Sequence, residues 1–158
     1  MRSVALALCC ALTSLFFFVG SASAAQAAGP RLDRGERAIV RAINRARGHY
    51  GLHRLHAGHR LARVADAHSR SMLRADYFAH GSFASRVRRY SSFKRVGETL
   101  AWNSRCGART FVRMWLRSPS HRAVLLSRGF RRVGVGRRVG SLGPRRACVV
   151  TADFASRR

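Results

Sequence analysis

The 158-residue chain sets 31 Lys and Arg against 6 Asp and Glu, a formal charge of +25 at pH 7. The length suggests one domain with one modest core. Such a charge attracts nucleic acid, anionic lipid head groups and acidic wall polymers, but the arginines are spread along the chain, and a basic outer face is the preferred reading over a dedicated nucleic-acid binder.

The chain opens on Met1-Arg2, an apolar run from Val4 to Val19, and a small-x-small site at Ala22-Ser23-Ala24. This order reads as a secretory signal peptide over residues 1–28, cleaved near Ala24 to Ala28. The run is shorter than the roughly 20 residues of a spanning helix. Cys9 and Cys10 lie inside it, and Leu8 is too large for a lipoprotein processing site. The mature protein is therefore expected to be extracellular, with a net charge one lower than the full chain's once Arg2 is removed.

A short leader covers 29–33. Asp33 with Glu36 forms a capping box, and Ile39, Ala42, Ile43 and Ala46 recur at helical spacing, so a first helix is expected over 34–47. The link "YGLHRLHAGHR" carries His49, His53, His56 and His59 among Arg and Gly and reads as a solvated loop. A second helix is expected over 60–75, with Leu61, Val64, Ala65, His68, Met72 and Ala75 on one face. His68 reads as a hydrogen-bonded core histidine. Ser85 to Tyr90 forms a short helical turn, and "KRVGETLAW" a brief extended or loop segment. A helix follows Gly107 and ends near Arg117, with Trp115, like Trp102, placed in the core. Ser118 is a good N-cap and Pro119 suits the first position of another helix, running to about 128.

The period then changes. Val133 and Val135 share one strand face with Gly134 and Gly136 opposite, 140–144 is a turn, and Cys148, Val150, Ala152 and Phe154 alternate on a last strand. These make an antiparallel hairpin, and helices followed by strands give an α+β fold. Residues 156–158 are a basic tail. In an exported chain Cys106 and Cys148 most simply pair, closing a loop of about 43 residues worth ~4 kcal/mol on a loop-entropy model.

The chain has no phosphate loop, HExxH, CxxC or G-x-S-x-G element. Glu98 lies in the mostly apolar "VGETLAW", where an acid is expected to be partly buried and so to need a partner. His80 ends an apolar segment. His121 sits in the first turn of a helix, whose positive end lowers an imidazole pKa. A site of His80, Glu98 and His121 is one reading; hydrogen-bonded structural residues are the other.

In that order "FAHGS", "GETLAW", "WLRSPSHRAVLL" and "FRRVGVG" resemble the CAP superfamily (cysteine-rich secretory proteins, antigen 5 and pathogenesis-related 1 proteins), in its bacterial SCP-domain branch. The resemblance covers 34–155. It implies an α-β-α sandwich with a small central antiparallel sheet, and a cleft holding two histidines and two acids. His80 and His121 are the implied histidines and Glu98 the first acid. Ser118 stands where the second acid falls in many relatives, and Val124 where they commonly have Asn. Thr99 and Ser118 are expected beside the cleft. Relatives sometimes hold zinc or another divalent ion in this cleft; His80, His121 and Glu98 would give such an ion three ligands with a fourth position open, while the missing second acid and the absent amides at Thr99 and Val124 weaken the site.

The expectation is a non-catalytic extracellular module, monomeric, binding a divalent ion or small apolar ligand in the cleft. A hydrolase using His80, Glu98 and His121 is the alternative; the sequence supplies no clear nucleophile for it, and Ser82 beside His80 has no implied triad geometry. A third reading is a polyanion or envelope binder touching anionic cell-wall polymers or lipid surfaces. Sequence-specific nucleic-acid binding is not expected, because no aromatics interleave with the arginines.

Overall fold

A computed structural model describes residues 32–89 and 92–156. The expected signal peptide, Tyr90 at the end of the expected turn, and Arg157 and Arg158 of the basic tail lie outside the described residues. Five helices and four strands follow in the order α1 (Arg34–His49), β1 (His56–Ala57), α2 (His59–Arg74), α3 (Phe83–Arg88), β2 (Val96–Asn103), α4 (Ala108–Arg117), α5 (Pro119–Leu125), β3 (Arg132–Leu142) and β4 (Arg145–Ala155).

Local signals place most of these. Asp33 accepts from the Glu36 amide at 2.7 Å and Glu36 accepts from the Asp33 amide at 2.7 Å, so the capping box forms. Gly143, at φ +56, turns the β3–β4 hairpin. The strands are longer than expected and the turn correspondingly tighter, because the hairpin pairs without interruption from Arg132↔Ala155 to Leu142↔Arg145.

The sheet order is β1-β3-β4-β2. β2 pairs antiparallel with β4 along its whole length, so "VGETLAW" is an edge strand rather than a loop. The central pairs are antiparallel as expected, but the sheet is mixed: the histidine-rich link contributes β1, parallel to β3 at His56↔Arg132.

Helices cover both faces. α1, α4 and α5 pack on Val133, Val135, Cys148, Val150, Ala152 and Phe154. Phe111 and Trp115 of α4 are fully buried there, each worth about 1.5–3 kcal/mol of burial. α2 and α3 cover the other face, with Leu61, Val64, Val87 and Met72 against Leu100, Val149 and Ala155. Here the glycines of "VGVG" have a specific purpose. A Cβ on Gly134 would lie 2.1 Å from the Leu61 carbonyl carbon, and one on Gly136 2.1 Å from the Asp66 amide, so α2 rests on bare strand backbone. Cys106 and Cys148 form a disulfide that ties the chain after β2 to β4. Among the described residues, no helix is long and apolar enough to cross a membrane.

Candidate functional site

The site lies at the β2 edge of the sheet, where the two helical layers meet. Glu98 is on the β2 face that α2 and α3 cover, with its side chain wholly buried. His80 comes from the loop between α2 and α3. That loop is held from below by His68, which is buried in α2 and bonds through Nε2 to the Ala79 carbonyl at 3.0 Å. A carbonyl only accepts, so His68 donates. Burial depresses its pKa, with the Arg86 charge adding to the effect. The core histidine expected from sequence thus also positions the next one in the chain.

His80 Nδ1 lies 2.8 Å from Glu98 Oε1. The carboxylate accepts, which fixes the proton on Nδ1 and leaves Nε2 facing outward. The His80 side chain is 45% exposed. Across the cleft, His121 of α5 brings its ring centroid to 5.7 Å from that of His80. The His121 pKa is lowered, first by burial and then by the His80 charge. The direction is the one the sequence suggests, but its physical cause is desolvation and a second imidazole rather than the start of the short α5.

His80, Glu98 and His121 are therefore brought together from three separate elements. The residues expected beside them sit differently. Thr99 alternates to the opposite face of β2 and is fully buried, with no partner for its hydroxyl among the described residues. Ser118 precedes α5 in the cap position but makes no capping bond; its hydroxyl lies 3.2 Å from that of Ser120. Val124 packs beside Gly97, where a Cβ would meet its Cγ1 at 3.0 Å. His49, His53, His56 and His59 are exposed, as expected of the link, although His53 Nε2 lies 2.6 Å from the Phe130 carbonyl.

Two participants have no counterpart in the sequence reading. Arg86 of α3 bonds Glu98 Oε2 through Nη2 and the His80 carbonyl through Nη1 at 3.2 Å, so it ties α3 to both cleft residues. Asp153 of β4 stands opposite Glu98 in register and is fully buried. Neither of its oxygens has a donor among the described residues. Burial raises its pKa well above the usual carboxylate range, and the adjacent Glu98 raises it further, against an opposing pull from Arg86. Burial and the Glu98 charge thus both favour the protonated form of Asp153, which lies wholly inside the protein opposite Glu98.

This donor set bears on the implied ion. Both Glu98 oxygens are engaged, one by His80 and one by Arg86. Among the described residues no cluster of three His, Cys, Asp or Glu is placed to hold a metal. The three-ligand set therefore does not form in this geometry. Two imidazoles remain, one backed by a carboxylate on its other nitrogen, which is the usual surrounding of a metal-binding histidine.

The α-β-α sandwich defines the class of protein, and comparison with known proteins agrees. The sequence profile of the Cysteine-rich secretory protein family (CAP) matches residues 40–154, and the chain belongs to that family. An extracellular protein of Bacillus anthracis str. Ames containing an SCP domain is similar in structure, with TM-score 0.67, 26% identity, and coverage of 78% of this chain and 40% of that one. An outer surface protein of Borrelia burgdorferi shares the fold at TM-score 0.67 and 21% identity, over 82% of this chain and 99% of that chain. An uncharacterised membrane protein of Bacillus subtilis (strain 168) is 34% identical over 107 residues, which are 64% of this chain and 31% of that protein. The chain thus corresponds to about a third of that relative's length.

Proposed function

We propose that this chain is an extracellular, non-catalytic CAP module whose cleft takes a divalent transition-metal ion between His80 and His121. The observation that carries this reading is the pair of imidazoles 5.7 Å apart, one presenting a free Nε2 because Glu98 holds its Nδ1. A lowered pKa keeps the other imidazole neutral and able to ligate. Glu98 orients His80 and Arg86 holds Glu98. Among the described residues no hydroxyl or thiol is hydrogen-bonded to either imidazole, whereas a nucleophile and its base need such contact. Export is supported by the leader pattern of residues 1–28 and by the extracellular relative. Calorimetric titration of the metal-free protein with zinc tests the reading: saturable binding is expected, lost in His80→Ala and His121→Ala, and equal heats in all three proteins would refute it.

A second reading concerns the surface. All six acidic residues lie elsewhere: Asp33, Glu36 and Asp66 with Arg137 and Arg138, Asp76 at the hairpin turn, and Glu98 with Asp153 in the cleft. Arg41 and Arg45 of α1 and Arg109, Arg113 and Arg117 of the adjoining α4 are exposed and form no ion pair among the described residues. This carboxylate-free face supports binding to an anionic envelope polymer, independently of the cleft.

A further inference from the structure

A second cavity of about 340 Å³ opens beside the cleft, between α2 and α3. Val64 and Ala67 of α2 form one wall. Ser82, Ser85, Arg86 and Arg89 form the other. Ser85 and Arg86 belong to α3, and Ser82 and Arg89 are the residues that flank it at either end, so this wall consists of two hydroxyls and two guanidinium side chains.

The chemistry of this lining is one-sided. No acid lines the cavity, and all six acidic side chains of the chain are placed elsewhere. Arg89 is exposed and has no carboxylate partner among the described residues. Arg86 is committed through Nη2 to Glu98, but its Nε is buried without a partner. Neither serine hydroxyl has a partner among the described residues. A comparable cavity near α1 differs on this point: there Arg70 and Arg138 already pair with Asp66. Forked guanidinia with neighbouring hydroxyls match the oxygens of a tetrahedral anion.

We propose that this cavity is a binding site for a small tetrahedral oxyanion, a phosphate monoester group, whose organic part rests on Val64 and Ala67. Arg89, Ser82 and Ser85 supply the donors, and Arg86 joins the site to the cleft. Because Arg86 also holds Glu98 and the His80 carbonyl, an anion drawing on Arg86 alters the surroundings of His80. This site is separate from the two-histidine ion site and is testable without it.

The test uses metal-free protein in chelator, titrated with inorganic phosphate and followed by NMR of the histidine rings and by calorimetry. Saturable binding is expected, with the His80 resonances moving. Arg89→Ala should weaken binding at least tenfold and Ser85→Ala a few-fold, while Arg145→Ala, exposed at the start of β4 and outside both the cavity and the α1–α4 face, leaves it unchanged. Equal affinity in Arg89→Ala and wild type, or acetate binding as tightly as phosphate, would overturn the proposal. Circular dichroism of Arg89→Ala, an exposed position, verifies that any loss is not unfolding.

Discussion

Asp153 of β4 stands directly opposite Glu98 of β2, both buried, with Arg86 bonded to Glu98 and no donor on Asp153 among the described residues. Two carboxyls so placed cannot both ionise cheaply, and the absence of a donor on Asp153 favours its protonated form. Its folded pKa is raised, so its neutral form favours folding below the unfolded value near 3.8 and this contribution is lost as pH climbs toward the folded value. Asp153→Asn keeps shape and a donor without the titration. We expect it to be more stable than wild type at pH 7 by on the order of 1 kcal/mol, with the two converging near pH 4. Urea denaturation across this range checks it; a less stable variant at pH 7 would mean that Asp153 is ionised.

His121 has the opposite sign. Its folded pKa is lowered from 6.5 by burial and by His80, so the unfolded chain takes up the proton first. Metal-free protein should lose stability as pH falls below about 6.5, and His121→Gln should lose less. His68 titrates in the same direction, which makes the comparison with the His121 variant necessary.

Arg47 is an arginine with no surface role. It is fully buried in α1 and donates to the carbonyls of His53 at 3.1 Å, Leu125 at 2.7 Å and Ser127 at 3.0 Å. These include the end of α5, the helix that carries His121. Arg47→Ala leaves three acceptors without it and is expected to cost about 3 kcal/mol. Thermal melts check the cost, and the His121 ring resonances should shift with it.

Reduction, or Cys106→Ser with Cys148→Ser, removes a link across 42 residues. The expected loss is about 4 kcal/mol, read from denaturant midpoints with and without reductant. The cleft is not bonded to this disulfide, so the variant should retain the His80–His121 site while folded.

The polymer-binding face is checked by salt. Binding of purified teichoic acid should fall steeply with ionic strength. Replacing Arg109, Arg113 and Arg117 with Ala should reduce the magnitude of the log–log slope by about 2. An unchanged slope would place the contact elsewhere.

The sequence carried the helices because capping and periodicity are local: Asp33, Glu36 and the apolar face of α2 declare themselves over a few residues. His80, Glu98 and His121 were singled out by the resemblance of four ordered motifs to a family rather than by any local rule, and the fold brings the three side chains together. Other features depended on contacts distant in sequence. β1 exists only because His56 meets Arg132, and β2 because Glu98 and its neighbours meet β4. Asp153 was legible in part: Ala147 and Val149 are as apolar as Cys148 and Val150, so both faces of β4 had to be covered and an acid there had to be buried. Arg86 gave no signal, since in a chain this rich in arginine only its position beside Glu98 distinguishes it.

The central claim is that His80 and His121 together hold the ion while Glu98 stands behind His80. Nitrogen-15 NMR of the histidine rings during zinc titration addresses it directly. The His80 Nε2 and one His121 ring nitrogen should shift in proportion to bound zinc, His80 Nδ1 should keep its proton, and Glu98→Gln should weaken binding about tenfold. Zinc-dependent shifts confined to His49, His53, His56 and His59, with His80 and His121 unmoved, would contradict it.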